Sequence, residues 1–321
     1  MASKPPGGSP QIGILLWVRY GVEFIALVIF TLLMTILPWA VVWRFGRGLG
    51  LFLGYWVPIR KQVVKSNLKR AFPDWPADKI DTSTRDVYAH WGESFITTMK
   101  IWTMSDQKIL RLIESPGFAE YTAAKQASGE PFILFTGHFG SWEMAGRYMA
   151  ILAGKTSAIY RIQRNPLVDK FLSWLRTRKN MILVDSWSKM PAFVTRLRDI
   201  GNMCIVGDQY KGRQGITVEF FGLPSPSPKG VAVLAHRTPA EIIFVAMHIH
   251  RGRFVMDWEP LRIDIPQRVN EDFIQEVVGT GLKKLEAIIR KYPDQYLWFH
   301  KRWRNIDKRE AATRNTGSRP H

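Results

Sequence analysis

A single cysteine, Cys204 in the apolar segment MCIVGD, stands in 321 residues. No disulfide can close within the chain and no cysteine-based metal centre can form; a small buried hydrophobe is the ordinary role of such a residue. Acids are scarce too, 27 Asp and Glu against 45 Lys and Arg, which leaves a formal charge of +18. That surplus points to an anionic partner, whether lipid, nucleic acid or acidic protein. Several familiar signatures are missing. Gly46-Arg-Gly48-Leu-Gly50 has no strand before it, so it is not a dinucleotide loop. No Gly-x-Ser-x-Gly surrounds Ser141, which removes the serine-hydrolase elbow. His248 and His250 share one face of a strand without a third ligand, so no metal site is expected. Neither an internal repeat nor a helix-turn-helix, zinc or RNA-recognition pattern occurs, and nucleic acid is not the expected partner.

Charge of either sign is also absent from Phe24 to Trp43. As a helix this run, residues 24–43, spans about 30 Å, the thickness of a hydrocarbon core, and is expected to be an N-terminal transmembrane or membrane-anchoring helix. Pro38 should kink it, so a helix lying in the interface is the alternative. A cleaved signal peptide fits less well, because the run is long and no small-residue cleavage site follows. Residues 1–23 read as a mobile tail and membrane approach. Arg44, Arg47, Arg60, Lys61, Lys65, Lys69 and Arg70 follow with no acid before Phe72. This bias puts residues 44–306 on the cytoplasmic face of the membrane.

Residues 59–128 carry helical periodicity, broken at Phe72-Pro-Asp-Trp-Pro76. From 131 to 306 strands and helices alternate. Strands are expected at 132–136, 157–160, 181–184, 203–207, 218–221, 242–250 and 254–259, and helices at 142–152, 166–179, 190–199, 230–237 and 270–291. The pattern predicts an α/β fold, a mainly parallel sheet covered by helices. Residues 307–321 read as a basic disordered tail.

Within this frame His138 stands out, at the end of the apolar strand Phe132–Thr136 and between Gly137 and Gly140. Glu143 follows five positions later, about one turn into the next helix, where its carboxylate could approach the imidazole. An imidazole aligned by a carboxylate is a general base able to deprotonate a hydroxyl near neutral pH, with no Ser or Cys nucleophile required. The spacing alone is common by chance; the glycines and the rigid strand give it weight. Ligands of such sheets gather at the carboxyl ends of strands. Arg161, after the next strand, is the best candidate for a phosphate or oxyanion contact, with Asn165 beside it. Arg164, Arg178 and Arg213 are further cations of the same kind. Asp208 either orients an Arg or caps the turn that leads to Gln209. Gly230 could let a helix offer its backbone N–H groups to an anion. The segment bearing Gln295, Trp298, His300 and Arg302 suits a membrane-surface or phosphate-binding edge, with a core strand ending in cations as the competing account.

Taken together, the chain resembles the lipid A late (secondary) acyltransferases, the lauroyl/myristoyl transferase type within the wider glycerolipid acyltransferases that share a His-x4-acid pair. The resemblance rests on Asn67-Leu68, Ala71-Phe72-Pro73, Gly137-His138-Phe139-Gly140-Ser141-Trp142-Glu143, Tyr160-Arg161, Asn165-Pro166-Leu167, Asp208-Gln209, Phe220-Phe221-Gly222, Pro293, Gln295, Trp298, His300 and Arg302. It implies a glycerolipid-acyltransferase-like fold with one N-terminal anchor at the inner membrane and no cofactor. It also implies an acyl chain delivered as a thioester on acyl carrier protein to a hydroxyl of the Kdo-lipid A precursor. His138 would take the proton, Glu143 would align His138, and Arg161 would bind phosphate or brace the oxyanion. An acidic carrier and an anionic membrane both suit the positive charge. Transfer to a phosphatidylinositol mannoside or a lysophospholipid by the same pair is the first rival reading, and a basic membrane-tethered nucleic-acid binder the second.

Overall fold

Five consecutive buried residues, Phe132–Thr136, form the strand on which the molecule is built. Phe132 and Leu134 point into one apolar cluster and Ile133 and Phe135 into another, on the opposite face of the sheet. A strand covered on both faces needs apolar side chains at odd and even positions alike, and this one has them.

The computed structural model describes residues 13–57 and 59–307. Of the expected tails at 1–23 and 307–321, residues 1–12 and 308–321 lie outside the described residues, whereas residues 14–23 are helical, in α1, and Asp307 pairs with Arg70 at 2.6 Å. In chain order the elements are α1 (Ile14–Ile36), α2 (Trp39–Trp56), α3 (Lys61–Ala71), α4 (Ala77–Ile101), α5 (Asp106–Leu110), β1 (Ile113–Glu114), α6 (Phe118–Ser128), β2 (Phe132–Thr136), α7 (Trp142–Leu152), β3 (Thr156–Tyr160) and α8 (Pro166–Thr177). They continue with β4 (Met181–Asp185), α9 (Met190–Ile200), β5 (Asn202–Val206), β6 (Ile216–Phe220), β7 (Leu223–Ser227), α10 (Gly230–Arg237), β8 (Glu241–His250), β9 (Arg253–Leu261) and α11 (Glu271–Lys291). The main sheet has the order β1-β9-β8-β2-β5-β3-β4 and is parallel except where β9 runs against β8. The α/β fold with a mainly parallel sheet covered by helices is therefore as expected.

Residue chemistry accounts for the element ends. The Asn165 side chain accepts hydrogen bonds from the N–H groups of Leu167 and Val168, and Pro166 opens α8. Asn270 caps α11 through the N–H of Phe273 at 2.8 Å, and α11 buries a stripe that includes Phe273, Val277, Leu282 and Leu285.

Two expectations change. The apolar run 24–43 is not one helix: α1 begins at Ile14, ends at Ile36, and Leu37-Pro38 separates it from α2. Proline has no N–H to continue the ladder, and it disfavours helical geometry in the residue before it. The stretch after Phe221-Gly222, where no strand was expected, is a strand, β7, paired antiparallel with β6. Pro224 and Pro226 stand two apart on a strand of a two-stranded sheet, where one edge needs no N–H.

Candidate active site

β2 and β5 are parallel neighbours with Phe132 opposite Asn202 and Thr136 opposite Val206, so the same offset places His138 across from Asp208 just beyond the strand ends. His138 Nδ1 lies 2.7 Å from Asp208 Oδ1, and the backbone N–H of His138 donates to Asp208 Oδ2 at 3.0 Å. Burial of the carboxyl opposes its ionisation, but the charge of His138, these two hydrogen bonds and the charge of Arg302 outweigh it and bring Asp208 down to about 2. An ionised carboxylate only accepts, so Nδ1 carries a proton, and when the ring is neutral the lone pair lies on Nε2. The Gln209 side-chain amide donates to that Nε2 at 3.2 Å. The Trp142 ring meets the imidazole edge to face at 5.1 Å.

Both flanking glycines sit in tight surroundings, and at Gly140 glycine is sterically required. A Cβ on Gly137 would collide with the Leu285 side chain, and Gly140 has φ of 53° with its backbone pressed against the Met247 carbonyl. The segment they bracket is strapped to the C-terminal part of the chain: Gly140 N–H donates to the Gln295 carbonyl and Leu297 N–H to the His138 carbonyl.

Glu143 occupies another position than expected. It accepts from Arg176 Nη2 at 2.7 Å and Nε at 3.2 Å, and from Trp102 Nε1 at 3.2 Å. In the first turn of α7 its side chain faces α8 and the end of α4, away from the strand neighbour that reaches the imidazole. The carboxylate in contact with His138 is that of Asp208, in place of the expected Glu143, and Asp208 meets the histidine and not an arginine.

Several other expected contacts are structural. Asn165 caps α8 and donates from Nδ2 to the Tyr20 carbonyl and to Glu23. The Gln295 amide bridges the N–H and carbonyl of Ile249, each at 2.8 Å. Trp298 and Arg302 are buried, the latter donating to Ser227 Oγ at 2.6 Å beneath the Phe220 ring. His300, driven down to about 4 chiefly by burial, accepts the N–H of Tyr210 at 3.1 Å and so braces the chain just after Gln209. The C-terminal segment is thus an inner support of the site and neither an outer edge nor a strand. Arg161 and Arg164 are exposed beyond β3, two strands from His138; Arg178 stacks on Trp174; Arg213 is exposed. Gly230 opens α10 with no atom close to where a Cβ would stand. Sequence reasoning missed Arg176, Trp102 and Trp142 as neighbours. Only the position of Trp142 beside Glu143 gave any hint.

Among the described residues no three His, Cys, Asp or Glu side chains converge as metal ligands. What the site offers is one partly exposed imidazole whose Nδ1 is held by a buried carboxylate, with cations beyond the end of β3, two strands away.

The chain is 24% identical to a lipid A biosynthesis lauroyltransferase of Escherichia coli (strain K12) over 272 residues, 84% of this chain and 87% of that protein. It is 23% identical to a lipid A biosynthesis palmitoleoyltransferase of the same organism over 280 residues, 86% and 89% of the two chains. A phosphatidylinositol mannoside acyltransferase of Mycobacterium tuberculosis (strain CDC 1551 / Oshkosh) is 28% identical over 191 residues, 57% and 59%. The profile of the family described as bacterial lipid A biosynthesis acyltransferase matches residues 14–305, so the chain belongs to that family of acyltransferases.

Proposed function

We propose that this protein transfers a fatty acyl chain from an acyl carrier protein thioester to a hydroxyl of a lipid A precursor at the cytoplasmic face of the inner membrane. The observation that carries the chemistry is the 2.7 Å contact between His138 and Asp208. The acceptor O–H gives its proton to His138 Nε2 as its oxygen attacks the thioester carbonyl, taking the place of the Gln209 amide. Asp208 stabilises the imidazolium through Nδ1, as the aspartate of a catalytic triad does. Collapse of the tetrahedral intermediate breaks the carbon–sulfur bond, and the imidazolium returns the proton to the departing thiolate. Arg161 is the anion contact, for a phosphate of the acceptor or of the carrier's prosthetic arm. Glu143 acts at one remove, holding Arg176 and the start of α7 and, through Trp142, the imidazole.

The test is turnover by purified protein given acyl carrier thioester and separate acceptors. His138→Ala should lower the rate about 100-fold to 10,000-fold without unfolding the chain. A rate within a few-fold of wild type would refute the base. The acceptor has a second reading, a phosphatidylinositol mannoside, favoured by the 28% identity to an enzyme of that name. Labelling of that lipid and not of the lipid A precursor would decide for it.

A further inference from the structure

Helix α1 is long and apolar enough to cross a bilayer, at 23 residues, yet it does not stand free of the domain. Midway along it, Glu23 and the Tyr20 carbonyl both accept from Asn165 Nδ2 at 3.0 Å, and the Phe24 ring meets Phe171 of α8 at 6.0 Å. Near its end, Thr35 bonds Thr103 at 3.1 Å, and the buried Lys100 of α4 donates to the carbonyls of Met34, Thr35 and Leu37. Those carbonyls belong to the last turn and the link to α2, where a cation both satisfies orphan acceptors and suits the helix dipole.

These contacts span residues 20 to 35, about 22 Å of helix. A helix held midway and at its C-terminal end by one domain cannot carry that stretch to the far side unless the domain follows. Here α8 would follow, bringing exposed Lys170 and Arg178 into hydrocarbon, where charge is strongly disfavoured. The contacts to the domain lie on one stripe; the other, through Val22, Ile25, Ile29 and Leu33, is more than half exposed at every position. Helix α2 shows the same polarity in sharper form. Gly46 and Gly50 press against the backbone of α4, while Phe45, Phe52, Tyr55 and Trp56 face outward. A helix that turns its glycines in and its aromatics out has the reverse of a soluble pattern. Of the 26 large hydrophobic residues exposed among those described, 18 lie between Ile14 and Ile59.

We infer that α1 and α2 together form a monotopic platform that lies in one leaflet of an anionic bilayer, with α1 docked along the domain and not crossing. Basic residues such as Arg44, exposed on α2, meet the headgroups. Because α1 runs from the loop after β3 to the end of α4, where Trp102 reaches Glu143, it borders the side of the sheet on which His138 lies. Lipid acceptors then approach from the leaflet in which the platform rests.

The test measures depth, which turnover does not affect, so the outcome is separate from that of the acyl-transfer reading. Nitroxides are placed singly at Val22, Ile25, Ile29 and Leu33 of the full chain with Cys204→Ser, in vesicles of phosphatidylethanolamine and phosphatidylglycerol. Relaxation by oxygen against a polar nickel chelate reports depth. All four should share one shallow depth, about 5–10 Å below the headgroups. A depth that changes steadily along the series, by up to about 16 Å from Val22 to Leu33, describes a spanning helix and overturns the proposal. As a second measurement, Phe24→Cys with Phe171→Cys should cross-link on oxidation in the same vesicles. Absence of the cross-link means that α1 leaves the domain, and it overturns the proposal equally.

Discussion

At the scale of single residues, Asp208 has almost no exposure yet stays ionised, because His138 offers it a ring N–H, a backbone N–H and a compensating charge. Asp208→Asn should keep the fold but lower turnover by about 1,000-fold or more, since an amide leaves the wrong tautomer in place. Glu143→Gln should lower it less and cost stability by about 1–3 kcal/mol, because it removes the charge facing the half-buried Arg176. Steady-state rates and denaturant midpoints of the two variants, side by side, check this; an equal rate loss in both would restore Glu143 as the orienting acid. His300 and His90 are each held near 4 by burial, below the ordinary 6.5. The unfolded chain therefore takes up protons first, and their stabilisation, full above pH 6.5, is lost as pH falls toward 4. Glu93, pushed up to about 7 by burial, acts oppositely, losing stabilisation as pH rises from 4.5 to 7. His300→Gln isolates one contribution: the stability gap to wild type should shrink by up to about 3 kcal/mol between pH 7 and pH 4.

At the scale of elements, α2 is read most directly through its glycines. A Cβ on Gly50 would collide with the Tyr88 carbonyl, whereas one on Gly48 would meet nothing. Gly50→Ala should therefore lower stability by about 1–3 kcal/mol and Gly48→Ala raise it by about 0.5–1 kcal/mol, as melting in detergent micelles would show. Most of the α/β region was legible in the chain. Alternating runs with glycine and proline punctuation located β2, α7, α10 and α11 almost to the residue. What failed were β7, where proline outweighs every other strand signal, and β1, whose two residues carry no periodicity. The C-terminal segment also misled. Its aromatics and cations look like a surface in sequence, but Trp298, Arg302 and Trp303 are buried because the segment passes beneath the site.

On the scale of the whole molecule, the apolar N-terminal part is integral to the domain. A chain beginning at Leu37 would lose the Asn165 contacts with Tyr20 and Glu23 and leave Lys100 with only the Leu37 carbonyl. Its melting temperature should fall by several degrees relative to the full chain in the same detergent; an unchanged value would show that α1 contributes nothing to the fold. Vesicle affinity of the full chain should also weaken as salt rises, since its charge is +18. The sequence by itself determined the alternation of strands and helices, the apolar entry segments, the excess of cations and the histidine between two glycines, because propensity, period and charge act over neighbouring residues. It also placed a carboxylate five residues after that histidine, and there the local view stopped. Only the tertiary structure decided which acid meets the imidazole, since β5 must first lie beside β2, in register, to bring position 208 opposite position 138. No local pattern encodes that adjacency, which comes from packing the whole sheet.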